Sequence, residues 1–287
     1  MRKIALSLAV AGSLALASCG GDSSASDTTA PASGQSASEC AAGKTLSEGK
    51  LTIGTGSPAY SPWVENDKPE SKEGFEAALA YAVAGELGFA DADVEWVRTT
   101  FDEAIQPGAK NFDFNLQQYT ITEERKANIT FSDPYYSTNQ AIVGLDGSAA
   151  EGVTTLEGLK KLKLGAQVGT TSLDYITNVI KPESDPLVYD DNAGAKAALE
   201  AKQIDAAVFD LPTALYVSAA EIEGSSVLGQ FALDTSVAAD NFGLVFDQGN
   251  PLAACVNTAL ATLKSSGQLE EITNTWLSTK TEIPVIK

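Results

Sequence analysis

Ala201-Lys202-Gln203-Ile204-Asp205-Ala206-Ala207-Val208-Phe209-Asp210 reads as a helix end, a polar turn, and then apolar-Asp-apolar entering a strand. An earlier stretch, Ala109-Lys110-Asn111-Phe112-Asp113-Phe114, has the same order: helix end, polar turn, apolar-Asp-apolar. The echo suggests two lobes of one topology. Around the first copy, residues 50–55 form a strand and 56–63 a loop. Residues 74–87 form a helix, with Phe75, Leu79, Ala82, Val83 and Leu87 at helical spacing, Glu76 and Glu86 off that stripe, and Gly88 ending it. Strand character returns at 94–97, a short helix follows at 101–109, and a strand at 111–118. Around the second copy the pattern predicts strand 163–167, helix 171–180, strand 187–189, helix 193–201 and strand 204–209. The chain closes with strand 242–246 and helices 253–263 and 268–277. Strands alternating with helices imply α/β architecture, parallel sheets covered by helices.

The 287 residues are 44% hydrophobic, enough for a real core in two small domains. The formal net charge of −19 argues against nucleic-acid or anionic-membrane surfaces as partners. The absence of histidine removes Ser-His-Asp and Cys-His catalysis and the commonest zinc ligand. No metal or cofactor is expected. Gly43-Lys44-Thr45 could mimic a phosphate loop, but the glycine such a loop needs five positions earlier is Ser38.

The first residues read as an address. Arg2 and Lys3 precede an apolar run, 4–16, that is shorter than the roughly 20 residues needed to span a bilayer. The run ends in Leu16-Ala17-Ser18-Cys19-Gly20, which resembles the bacterial lipobox. Residues 1–18 are therefore expected to be a signal peptide and Cys19 to carry a lipid. Residues 19–45, rich in Ser, Ala, Gly and Thr, are expected to be a flexible tether. With Cys19 assigned to lipid, Cys40 and Cys255 remain. In an oxidising location they form either a disulfide or two unpaired thiols, and the bond is preferred.

Thr120-Ile121-Thr122-Glu123-Glu124-Arg125, followed by Phe131-Ser132-Asp133-Pro134-Tyr135-Tyr136, resembles the amino-acid-binding proteins of ABC importers, solute-binding family 3. Four more pieces are similar in the same order: Ile53-Gly54-Thr55 with Tyr60-Ser61-Pro62-Trp63; Gly165-Ala166-Gln167-Val168-Gly169-Thr170-Thr171-Ser172; residues 204–210; and residues 263–277. The resemblance implies a two-lobed periplasmic-binding-protein-like fold in which each lobe is a mostly parallel sheet flanked by helices. Two hinge crossovers, near 137–142 and 238–242, would join the lobes. Lobe one would comprise residues 46–138 and 241–287, and lobe two residues 139–240. It also implies a monomer on the outer face of the cell membrane, anchored through Cys19, that delivers an amino-acid-like ligand to an ABC permease.

A free amino acid carries a carboxylate and an ammonium, so its capture needs a fixed cation, a fixed anion and hydrogen bonds that replace water. The resemblance assigns the carboxylate to Arg125, whose planar fork can form two parallel bonds, and the ammonium to Asp210. By sequence physics alone Arg125 is a surface residue after two acids and Asp210 a helix cap before Leu211-Pro212. Gly169, Thr170 and Thr171 form a loop entering a helix, suited to an anion or to simple capping. Thr120 adds a hydroxyl. Tyr60, Trp63, Phe101 and Tyr119 would wall the side-chain pocket. Ser57 stands where the family often has an acid, which argues against a basic ligand, and Gln118 lies in a segment where the family has small residues. The competing readings are an enzyme on the same fold, a dehydratase or cell-wall lyase, with Glu65 or Glu76 as its candidate acid, and a ligand-sensing lipoprotein with no transport role.

Overall fold

The computed structural model describes residues 35–231, 239–277 and 282–286. In chain order the first half contains α1 (Ala37–Ala41), β1 (Leu51–Gly56), α2 (Phe75–Glu86), β2 (Val94–Thr99), α3 (Phe101–Ile105), β3 (Phe114–Asn115), α4 (Glu123–Lys126), β4 (Thr130–Phe131) and β5 (Tyr136–Thr138). Then follow β6 (Gln140–Leu145), α5 (Leu156–Leu159), β7 (Leu164–Gln167), α6 (Thr171–Tyr175), β8 (Leu187–Tyr189), α7 (Asn192–Glu200), β9 (Ala206–Asp210), α8 (Leu211–Tyr216) and β10 (Ser225–Phe231). The chain returns through β11 (Asp240–Phe242), β12 (Val245–Phe246), α9 (Leu252–Ser266), α10 (Gln268–Trp276) and β13 (Val285–Ile286).

Two mixed sheets define two lobes. The first has the order β2-β1-β3-β12-β4, and the second β13-β10-β6-β9-β7-β8. Each is parallel where strand–helix units feed it, β2-β1-β3 and β8-β7-β9, and antiparallel where β12 returns to lobe one and β6 enters lobe two, whereas the late strand β13 adds parallel to β10. A separate ribbon, β5 against β11, lies where the chain passes between lobes. β9 is buried on both faces, which explains its unbroken apolar run: Ala206 and Val208 pack into one cluster, Ala207 and Phe209 into the other. The lobe-one core gathers Leu51, Ile53, Phe75, Leu79, Phe114, Val256 and Leu260 between sheet and helices.

Several expectations need correction. The tether expected over 19–45 does not extend to residue 45. Ser36 and Glu39 form a reciprocal capping box, Ala37–Ala41 is a helix, and Cys40 is bonded to Cys255 on α9 with a Cα–Cα distance of 5.4 Å. Residues 1–34, with the signal peptide and Cys19, lie outside the described residues. The helix expected at 101–109 stops at Ile105, because Pro107 cannot continue it. The strand expected at 111–118 pairs only over Phe114–Asn115, and Gln118 is left-handed (φ 53). The helix expected at 171–180 changes to π geometry from Ile176. The strand expected at 242–246 is broken between Phe242 and Val245, where Gly243 N–H donates to the Tyr119 carbonyl. Finally, lobe one does not hold all of 241–287. Val285–Ile286 pairs with β10, and Ile286 is buried in the lobe-two core.

Candidate functional site

The site lies between the lobes, and each side chain is placed by a local device. α4 is a single turn started by Thr122, whose hydroxyl accepts from Arg125 N–H. That turn aims Arg125 inward, where it is 8% exposed, with its guanidinium 5.4 Å from the Phe101 ring centroid. Its Nη1 donates to the Thr120 carbonyl (2.7 Å) and its Nη2 crosses to the Gly169 carbonyl of lobe two (2.8 Å). Two of its five N–H donors are thus engaged. Burial pulls the guanidinium pKa down, opposed chiefly by the neighbouring Tyr119, Asp174 and Asp240.

Lobe two contributes two helix starts. Thr170 caps α6, accepting from Leu173 N–H and donating to the Gln167 carbonyl. Thr171 then stands 3.3 Å from the Thr120 hydroxyl of lobe one. Gly169 is left-handed, and a Cβ there would lie 2.5 Å from an Asp102 carboxylate oxygen, so only glycine lets this loop meet lobe one. Asp210 ends β9 and caps α8, accepting from Thr213 N–H (3.0 Å) and Thr213 Oγ1 (2.8 Å). Burial pushes its carboxyl up to about 6 against those bonds, with Asp240 adding to the rise.

Arg125 and Asp210 wall one inner cavity together with Thr120, Thr170, Thr171, Gln118 and Phe101. An outer cavity of about 140 Å³ adjoins it and shares Phe101 and Gln118; its walls include Ser57, Tyr60, Trp63 and Glu76 of lobe one and Asp190 and Asp191 of lobe two. Trp63 Nε1 donates to Thr213 Oγ1 (2.8 Å), which donates onward to Asp210, so the aromatic loop of lobe one is wired to the acid of lobe two. Tyr119 does not line the pocket. It is fully buried beneath Phe101, with ring centroids 4.5 Å apart and its hydroxyl donating to the Phe101 carbonyl. Gly169 contributes its carbonyl rather than a wall.

Sequence reasoning did not place three neighbours of the site, Asp240, Gln140 and Ser172, and named Glu76 only as a candidate acid of the enzyme reading. Asp240 accepts from Thr120 Oγ1 and Gln140 Nε2, both at 2.8 Å, and Ser172 donates to Gln140 (2.6 Å), which ties the crossovers to the cleft. Glu76, off the apolar stripe of its helix, is 1% exposed. Its carboxylate accepts from Gln118 N–H (2.8 Å), Gln118 Nε2 (2.5 Å) and the Tyr135 hydroxyl. Burial nevertheless pushes it up to about 7. The only sequence signal was an acid at the second position of an otherwise apolar helix.

Residues 51–279 match the family model of bacterial extracellular solute-binding proteins, family 3. The chain belongs to this family. Family 3 relatives include a putative ABC transporter arginine-binding protein 2 of Escherichia coli (strain K12), 30% identical over 76% of this chain and 87% of the relative. The ABC transporter glutamine-binding protein GlnH of Bacillus subtilis (strain 168) is 29% identical over 79% of this chain and 81% of its own. Among solved structures, an ancestral arginine-binding protein bound to arginine superimposes with a TM-score of 0.66 at 31% identity, covering 80% of this chain and 99% of that one. The two-lobed solute-binding fold is therefore that of the family 3 proteins.

Proposed function

We propose that this protein captures a free amino acid between its lobes and presents it to the permease of an ABC importer. The observation that carries this reading is one cavity walled by a buried cation of lobe one, Arg125, and a buried anion of lobe two, Asp210. A zwitterion satisfies both at once, and only when the lobes are closed. The hydroxyls of Thr120 and Thr171 and the α6 start complete the carboxylate end. Tyr60, Trp63 and Phe101 border the side-chain end. Asp210 rather than Glu76 takes the ammonium, since Asp210 shares the inner cavity with Arg125.

The outer cavity carries Glu76, Asp190 and Asp191 and no lysine or arginine among its walls. That lining suits a ligand with a positively charged side chain despite Ser57, and the arginine-binding relatives support it. The relatives are binding proteins, and the protein acts without catalysis: Glu76 spends its carboxylate on three donors of its own lobe. The basic, apolar, small, Cys order of residues 2–19 supports secretion, lipidation of Cys19 and attachment to the outer face of the membrane. No described helix is long and apolar enough to cross a membrane.

A thermal-shift screen of the amino acids, with arginine, lysine, glutamine and cystine first, on protein lacking residues 1–19 tests the reading. A ligand at 100 times its Kd stabilises by about 2.7 kcal/mol. No shift with any amino acid would refute it, and a shift with neutral amino acids alone would refute only the charged side chain.

A further inference from the structure

Among the described residues the chain changes lobe three times, although a hinge needs only two such crossings. Two are the crossovers paired as β5 and β11. The third follows α10. Leu277 is buried in the lobe-one core, whereas Ile286 is 4% exposed in the lobe-two cluster with Phe231 and Tyr175. Residues 282–286 dock on the open edge of β10: Gln230 pairs with Val285 and Phe231 with Ile286, and Gln230 N–H donates to the Pro284 carbonyl (2.8 Å). Gly229 makes room for them. The nearest atoms to a Cβ at Gly229 would all belong to this segment, Ile286 Cδ1 at 2.5 Å and the Pro284 carbonyl at 3.0 Å among them. The Gln230 side chain then joins the third passage to the first: its Nε2 donates to the Ile283 carbonyl (3.1 Å), and its Oε1 accepts from Nδ2 of Asn139, between β5 and β6 (2.8 Å).

We propose that residues 282–286 are a strap that limits how far the two lobes swing apart, which goes beyond the solute-binding reading above. The physics is one of reach. The eight residue steps from Leu277 to Val285 span at most about 29 Å even when fully extended. Rotation about the β5–β11 ribbon therefore stops when this tether is taut, or else must strip β13 from β10. A narrower range of open states leaves a larger fraction of molecules near the binding-competent form, and apparent affinity scales with that fraction.

The experiment compares the wild type with a chain lacking residues 282–287 and with Ile286→Asp, which keeps the chain length but places a charge in the lobe-two core. Small-angle scattering of ligand-free protein is the deciding measurement, so the outcome does not depend on which solute binds. The radius of gyration should rise in both variants, and hydrogen exchange at the Gln230 amide should speed up in both as its bond to Pro284 is lost. In parallel, the Kd for L-arginine should weaken roughly three- to tenfold. An unchanged radius in the deletion variant overturns the proposal. If that variant fails to fold, Ile286→Asp decides by the same criterion.

Discussion

The polar-turn motif occurs twice, and its two aspartates perform the same task to different depths. In lobe one, Asp113 N–H donates to the Thr52 carbonyl (2.7 Å) while its carboxylate accepts from Thr52 N–H and Leu46 N–H, both at 2.7 Å. In lobe two, Asp205 N–H donates to the Lys163 carbonyl (2.8 Å) and its carboxylate accepts from Lys163 N–H (2.7 Å). Each clamps the start of a neighbouring strand. Beyond the motif the lobes diverge. Lobe two runs straight through β9 into a capped helix, placing Asp210 by regular geometry. Lobe one pairs for two residues, bends through left-handed Gln118 to place Thr120, and aims Arg125 from the single capped turn of α4. The difference shows how related halves divide labour: helix starts in one lobe, a bent segment and a buried arginine in the other.

The largest expected effect breaks the division at its irregular half. Arg125→Ala should weaken ligand binding by about 3–5 kcal/mol, since a desolvated carboxylate would lose its charged partner. Calorimetric titration measures it, with circular dichroism to confirm folding, and wild-type affinity would show that the carboxylate sits elsewhere. Asp210→Asn should weaken binding at the regular half without unfolding it.

The disulfide staples lobe one alone. Replacing Cys40 and Cys255 by Ser should cost about 2–5 kcal/mol of stability, the range expected when a bridge closes a long loop. Chemical denaturation followed in each lobe should show the loss first in lobe one. Equal loss in both lobes would mean they unfold as one unit.

The paired aspartates give a sharper and smaller contrast. Asp113→Asn, at a position 1% exposed and holding two backbone donors, should destabilise by about 1–3 kcal/mol. Asp205→Asn, half-buried with one such donor, should cost under about 1 kcal/mol. Equal costs in urea titrations would remove the distinction between the lobes.

The smallest effect is a dependence on pH. Glu76 and Asp210 hold their protons more tightly folded than unfolded, at about 7 and about 6 against ordinary values of 4.5 and 3.8. A carboxyl raised in this way favours the folded state at low pH, and its contribution is lost as pH rises through the folded value. Ligand-free wild type should therefore melt progressively lower from about pH 5 to about pH 7, and Glu76→Gln should flatten that slope. Ligand affinity should move the opposite way, falling as pH drops below about 6, because an ammonium needs Asp210 ionised. A melting profile with the same slope in Glu76→Gln would assign the dependence to other groups.

By itself the sequence determined the α/β alternation and the echo of two lobes. The inner clamp was legible only through short motifs that resemble a family, since residue physics alone left Arg125 on the surface and Asp210 as a helix cap. Those features are local: apolar period, glycine and proline punctuation, and short motifs such as residues 120–125 and 165–172 that recur in order. Tertiary structure decided what locality could not encode. Tyr119 became core because Phe101 covers it, and Glu76 became a buried wall because Gln118 and Tyr135 close over a position that helical spacing alone would leave in water. Residues 37–41 became ordered because Cys40 and the buried faces of Ala37 and Ala41 dock on α9 and its neighbours, which outweighs a composition that favours disorder. The last strand joined lobe two because Gly229 leaves a gap that Ile286 fills. In each case burial by distant residues set the outcome, and burial depends on which surfaces meet, which local period and propensity do not specify.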